Sequence, residues 1–163
     1  MSNVSLQSLS PQSTHVETVA RWTYDAWGAL YPEESWAQWR ENVRLQCRDS
    51  GVPSVFVAVV VGAGGKDVLV GTASLTAQDM SVRPELTPWL ASVFVPLAWR
   101  GLGIASALIA RGEAEARNAG FNHCYLYTPD QQRLYARLGW CEQERLEYRG
   151  EWVTLMRLDL MNR

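Results

Sequence analysis

FVPLAWRGLGIAS, residues 94–106, runs from an apolar strand end through a proline and an arginine into two glycines that open a helix. Glycine costs about 1 kcal/mol against alanine inside a helix, so glycines at a helix start point to a need for bare backbone there. The first helical turn carries unpaired N–H groups and the positive end of the peptide dipole. A strand entering a helix through glycines is a recurring way to cradle a phosphate. The stretch therefore predicts a strand-to-helix junction with an anion bound at it.

Working outward, WLASVFV (89–95) is a strong strand, and Gly103 to Ala119 follows as an amphipathic helix. Ile104, Ala105, Leu108, Ile109 and Ala116 share its apolar face, with Arg111, Glu113, Glu115 and Arg117 on the other. HCYLYT (123–128) is the next strand, which completes one βαβ crossover. Upstream, VSLQSL (4–9) alternates as a short strand, and Ser13 or Thr14 caps a helix running to about Leu30. A second helix spans roughly Glu34 to Arg48. VFVAVVV (55–61) and DVLVGTASLT (67–76) form a hairpin across GAGGK, and 78–88 is a polar loop. Downstream, Pro129 to Leu138 is a short helix, and the tail around Arg149-Gly150 is a closing hairpin. The predicted order is β-α-α-β-β-β-α-β-α-β-β. That is an α/β (α+β) fold of one domain over 1–163, with a mixed, mostly antiparallel sheet, a central βαβ crossover and helices on both faces.

Composition narrows the chemistry. A formal net charge of −2 gives no sequence-independent grip on nucleic acid, leaving only a local basic spot at Arg100 and Arg111. Cys47, Cys124 and Cys141 are odd in number and lack CxxC spacing, so they read as reduced thiols. With two isolated histidines, His15 and His123, they support no metal site. The N-terminus lacks a basic, apolar leader, and the longest apolar run is far short of the ~20 residues that span a bilayer. The expectation is a cytoplasmic protein with no nucleic-acid or membrane partner. Eight tryptophans suit either a core or an aromatic pocket.

Three phosphate-binding patterns compete for the glycines. A nucleotide P-loop fails because GAGGK is followed by Asp67. The dinucleotide fingerprint fails at its third glycine, since Gly101, Leu102 and Gly103 lead into Ile104, Ala105 and Ser106. What fits is Arg/Gln-x-x-Gly-x-Gly/Ala, filled by Arg100, Gly103 and Ala105. Here the chain resembles the GNAT superfamily of acyl-CoA-dependent N-acetyltransferases. A second motif, LYTPDQQRLYARLGW (126–140), is similar to that family's later signature, and the element order also agrees.

The resemblance implies acetyl-CoA as co-substrate. Its pyrophosphate would lie on the backbone of Arg100, Gly101, Leu102, Gly103, Ile104 and Ala105, with Ser106 nearby. Phe94 and Val95 would offer backbone groups to the pantetheine arm in a gap between two splayed strands. Thr128 stands where the family often has asparagine, and the proline of the usual Val-x-Pro-x-x-Arg-Gly is shifted to Pro96. Tyr135 aligns with the tyrosine that protonates the departing thiolate, a phenol of pKa about 10 facing a thiolate of similar basicity. No acid sits on WLASVFV, so Glu85 and Asp79 in the preceding loop are the candidate bases. Trp27, Tyr31, Trp36 and Trp89 are the candidate walls of the acceptor pocket. The implied reaction moves acetyl from acetyl-CoA to a primary amine of a small molecule or peptide by direct attack, in a protein that can form a homodimer. A non-catalytic acyl-CoA sensor is the alternative, and the failed fingerprint argues against an NAD enzyme.

Overall fold

The computed structural model of the chain describes residues 3–161; the two residues at each end of the expected 1–163 domain lie outside it. Seven strands form one sheet in the order β1-β2-β3-β4-β5-β7-β6. They are β1 (Ser5–Ser8), β2 (Ser54–Val61), β3 (Asp67–Thr76), β4 (Trp89–Phe94), β5 (His123–Thr128), β6 (Cys141–Tyr148) and β7 (Glu151–Asp159). The helices are α1 (His15–Trp27), α2 (Trp36–Gln46), α3 (Ile104–Asn118) and α4 (Gln132–Arg137). Neighbouring strands are antiparallel except β4 and β5, which are parallel because α3 carries the chain across between them. The predicted mixed fold and element order are therefore those observed.

The uninterrupted apolar run of β2 follows from burial on both sides. Val55, Val57 and Val59 pack with Val16 and Val19 of α1, while Phe56, Ala58 and Val60 pack with Leu108 and Ile109 of α3. Gly71 of β3 lets α3 approach closely: a Cβ there would meet Leu108 at 2.9 Å and Ile104 at 3.0 Å. A third apolar cluster, Met80, Trp89, Tyr148, Val153 and Leu155, holds the 78–88 loop against the sheet. Among the described residues no helix is long and apolar enough to cross a membrane.

Three local expectations are corrected. The first helix stops at Trp27 and tightens into a 3-10 turn over Gly28–Leu30. Its Thr14 makes no side-chain cap; Ser13 Oγ instead accepts the His15 N–H at 3.1 Å. Glu113 and Glu115 do not decorate a solvated face, because α3 is covered on its flanks as well. Glu113 accepts from Trp140 Nε1 at 3.3 Å; Glu115 pairs with Arg111 at 2.9 Å and accepts the Gly51 N–H at 3.0 Å. α2 is started by a reciprocal capping box between Ser35 and Gln38, yet it contains no fully buried residue.

Candidate active site

The site begins with a failure of strand pairing. β4 and β5 share one bridge, Trp89 with Tyr125, and the Tyr125 N–H donates to Pro88 O at 3.0 Å. Beyond it the strands diverge. β4 carries a bulge: Ala91 opposes Ser74 and Phe94 opposes Thr72, so Ser92 and Val93 together face Ala73. Ser92 holds φ +55°, a conformation uncommon for a residue with a Cβ. A cleft of about 1010 Å³ opens there, with Ser92 and Val93 on one wall and Leu126, Tyr127 and Thr128 on the other. Backbone groups along such a gap need a partner from outside the sheet. An extended, amide-bearing arm matches them, so the residues fit acetyl-CoA.

The phosphate turn lies just past the end of β4. Gly101 and Gly103 have φ +77° and +82°, and an added Cβ at either would meet nothing within 4 Å. Glycine is required here by left-handed backbone rather than by crowding. The first intrahelical bond of α3 runs from Ala107 N–H to Gly103 O at 3.1 Å, which leaves the earlier N–H groups of that turn available to an anion. Arg100 folds back, Nε donating to Val95 O at 2.8 Å, and so braces the turn. Leu102 is exposed, Ile104 is buried beneath Gly71, and Ala105 and Ser106 are half-buried. Phe94 packs against Trp22 and Trp27, at ring distances of 5.5 and 6.3 Å, and Val95 is buried. Residues 100–106 stand apart from the lining of the large cleft.

Tyr135, on α4, lines the cleft and is 8% exposed, with its ring 6.1 Å from Trp140. Burial, aided by the Asp130 charge, pushes its phenol up to about 12, so it stays protonated. Thr128 also lines the cleft, and its Oγ1 accepts the Gln131 N–H at 3.0 Å, fixing the approach to α4. Asp79 enters the cleft from the loop after β3, where burial pushes its carboxyl up to about 7. Tyr31 and Tyr127 join hydroxyls at 3.1 Å beside it, and burial raises both phenols. Arg149 lies 3.9 Å above the Tyr31 ring and donates to Leu30 O at 3.0 Å and Glu33 at 2.8 Å.

The expected pocket residues divide. Trp27, Tyr31 and Asp79 line the cleft. Trp89 does not: it is wholly buried, with its Nε1 donating to Leu86 O at 2.7 Å, because the 78–88 loop closes over it. Trp36 faces outward against Tyr24, under the Arg21 guanidinium at 3.6 Å. Glu85 is exposed and absent from the cleft. Sequence reasoning missed Trp39, Tyr127, Tyr148 and Arg149, all of which line it. Alternation in HCYLYT was the available signal for Tyr127, since Cys124 and Leu126 already claim the opposite face.

A family model described as the acetyltransferase (GNAT) family matches residues 16–140. The fold is similar to yncA, a putative acetyltransferase from Salmonella typhimurium solved with its cofactor acetyl-CoA, at 20% identity and TM-score 0.67 over 96% of this chain and 94% of that one. It is similar also to a spermidine N-acetyltransferase SpeG chimera from Vibrio cholerae and hSSAT, at 18% identity and TM-score 0.70, covering 99% and 98%. A third likeness is to a putative GNAT-family acetyltransferase from Desulfovibrio desulfuricans, at 19% identity and TM-score 0.70, covering 97% and 99%. No curated protein matches the chain in sequence at a significant level.

The Asp79 carboxyl makes a prediction about stability. Its folded pKa lies near 7, above the 3.8 of an unperturbed aspartate, so between those values the folded protein holds a proton that the unfolded chain releases. The associated cost is absent below pH 4, grows as pH rises toward 7, and is complete above it. Asp79→Asn should therefore match the parent near pH 4 and exceed it at pH 8 by about 2 kcal/mol, the full shift being reduced by partial exposure to cleft water. Urea unfolding at the two pH values measures the difference; equal stabilities at pH 8 would contradict it.

Proposed function

The chain belongs to the GNAT acetyltransferase family, and on that premise we propose that it moves acetyl from acetyl-CoA to a primary amine by direct attack. One observation carries the reading: a proton acceptor, Asp79, and a proton donor, Tyr135, line the same cleft beside the β4–β5 gap. Bound acetyl-CoA supplies an activated acyl carbon with a thiolate leaving group. The glycine turn holds the pyrophosphate on backbone N–H groups, and the strand gap holds the pantetheine amides. Desolvation in the cleft penalises the ammonium form of the bound amine and lowers its pKa, and the Asp79 carboxylate is its proton acceptor. Asp79 takes the amine's proton, and the neutral nitrogen is then competent to attack. Tyr135, still protonated at neutral pH, gives its proton to the departing sulfur. Asp79 thus supplies from a loop the carboxylate that β4 lacks.

Calorimetry on the purified protein should show saturable acetyl-CoA binding, and Tyr135→Phe should lower kcat by about 10²-fold while leaving that affinity unchanged. Unchanged turnover in Tyr135→Phe would remove the phenol from the reaction. The profile of kcat/KM should rise with pH through about 7 as Asp79 ionises. Asp79→Asn should abolish that limb, and a limb that survives the substitution would assign the base elsewhere.

A further inference from the structure

This inference rests on the reading above and concerns which amine enters. The acceptor side of the cleft is a continuous aromatic wall. Trp39 and Tyr31 meet at a ring distance of 5.7 Å, Tyr31 and Tyr127 at their hydroxyls, and Tyr127 and Tyr148 at a ring distance of 5.5 Å. The polar atoms of this wall are already engaged within the protein. Trp39 Nε1 donates to Thr23 Oγ1 at 3.0 Å, and the Tyr31 and Tyr127 hydroxyls bond each other. The Tyr148 hydroxyl accepts the Ser81 N–H at 3.1 Å. One hydroxyl proton of the Tyr31–Tyr127 pair remains to donate, so the wall offers mostly ring carbon and few hydrogen-bonding groups, which suits a flat apolar body better than a polyhydroxylated sugar.

Charge narrows the class further. Glu34, Asp79, Asp130 and Glu151 are the carboxylates lining the cleft among the described residues, and Arg149 is its one guanidinium. Glu34 accepts from Asn42 Nδ2 at 2.8 Å, and Asp130 is exposed on the Tyr135 side. The Asp79 charge reaches Tyr31 and Tyr127, and Glu151 stands opposite Tyr148 on β7. Arg149, paired with Glu33 and donating to Leu30 O, covers one face of the Tyr31 ring, so a second ammonium on the acceptor cannot take that face. Its backbone φ is +51°, in a turn completed by Gly150 at +82°. Asparagine or glycine is the favoured residue in such a turn, so the sequence accepts strain to place an arginine there.

We propose that the acceptor is a monoamine on an aromatic or similarly flat body, an arylalkylamine by chemical class, and that the Tyr31 ring selects it. The amine nitrogen bonds to the acyl carbon as the carbon–sulfur bond breaks. One proton passes to Asp79 and another from Tyr135 to sulfur, so the step balances with acetyl-CoA as its only co-reactant. The test measures kcat/KM with acetyl-CoA for 2-phenylethylamine and tryptamine against hexylamine, spermidine and glucosamine. Acetyl-CoA binding is followed by calorimetry in parallel. The expected result is at least a tenfold preference for the two arylalkylamines, expressed in KM. Tyr31→Ala and Tyr31→Leu should each erase that preference with acetyl-CoA affinity unchanged, and Tyr31→Phe should retain it. Equal or better turnover of spermidine, hexylamine or glucosamine overturns the inference. So does an enzyme that binds acetyl-CoA yet leaves both arylalkylamines unreacted, or a preference that persists in both ring-deleting variants. Failure to bind acetyl-CoA at all overturns instead the function on which the inference rests.

Discussion

The separation of β4 from β5 is the constraint on which the site depends. Two parallel strands joined by α3 would ordinarily zip along their length, and here they meet at one bridge, Trp89 with Tyr125. The β4 bulge at Ser92 turns the strand away from its neighbour, and the wholly buried Trp89 pins the end that stays closed. A sheet opened in this way exposes backbone donors and acceptors that water or a ligand must satisfy. The same divergence leads β4 toward the glycine turn at the head of α3. One irregularity thus aligns a strand gap with a helix N-terminus, and both suit successive parts of acetyl-CoA.

The aromatic side of the cleft depends on the β6–β7 hairpin. The 78–88 loop is tied to it by Arg83 with Glu144 and by Ser81 with Tyr148. The junction of α1 and α2 is tied to it through Arg149, which reaches Leu30 O and Glu33. α2 itself has no fully buried residue, so these contacts, with the Tyr31–Tyr127 bond, give that junction much of its definition. The hairpin therefore acts as a common anchor for two segments that would otherwise lie loosely over the sheet. Asp79 owes its raised pKa to this closure, because a carboxyl on an unanchored loop would stay in water.

The fold was largely legible because its strongest signals are local. Continuous apolar runs mark doubly covered strands, and RGLGIAS marks a junction that glycine alone makes easily. The site was less legible because it is assembled from side chains far apart in sequence. Nothing local in PELTPWLASV separates a buried tryptophan from a pocket wall; that is decided by the loop packing over Trp89. Glu113 and Glu115 look like solvated helix residues until Trp140 and Gly51 arrive from elsewhere in the chain. Tyr127 was within reach of the alternation rule, whereas Arg149 looked like an ordinary turn residue. Its role emerges only when Tyr31 is brought beneath it.

Backbone hydrogen exchange, followed residue by residue with and without acetyl-CoA, tests the central claim most directly. If the strand gap and glycine turn receive the co-substrate, protection should rise at Ser92–Val95 and at 101–106, with β1, β2 and β6 little changed. Binding that leaves both segments unprotected, or that protects a different part of the sheet, would contradict the account.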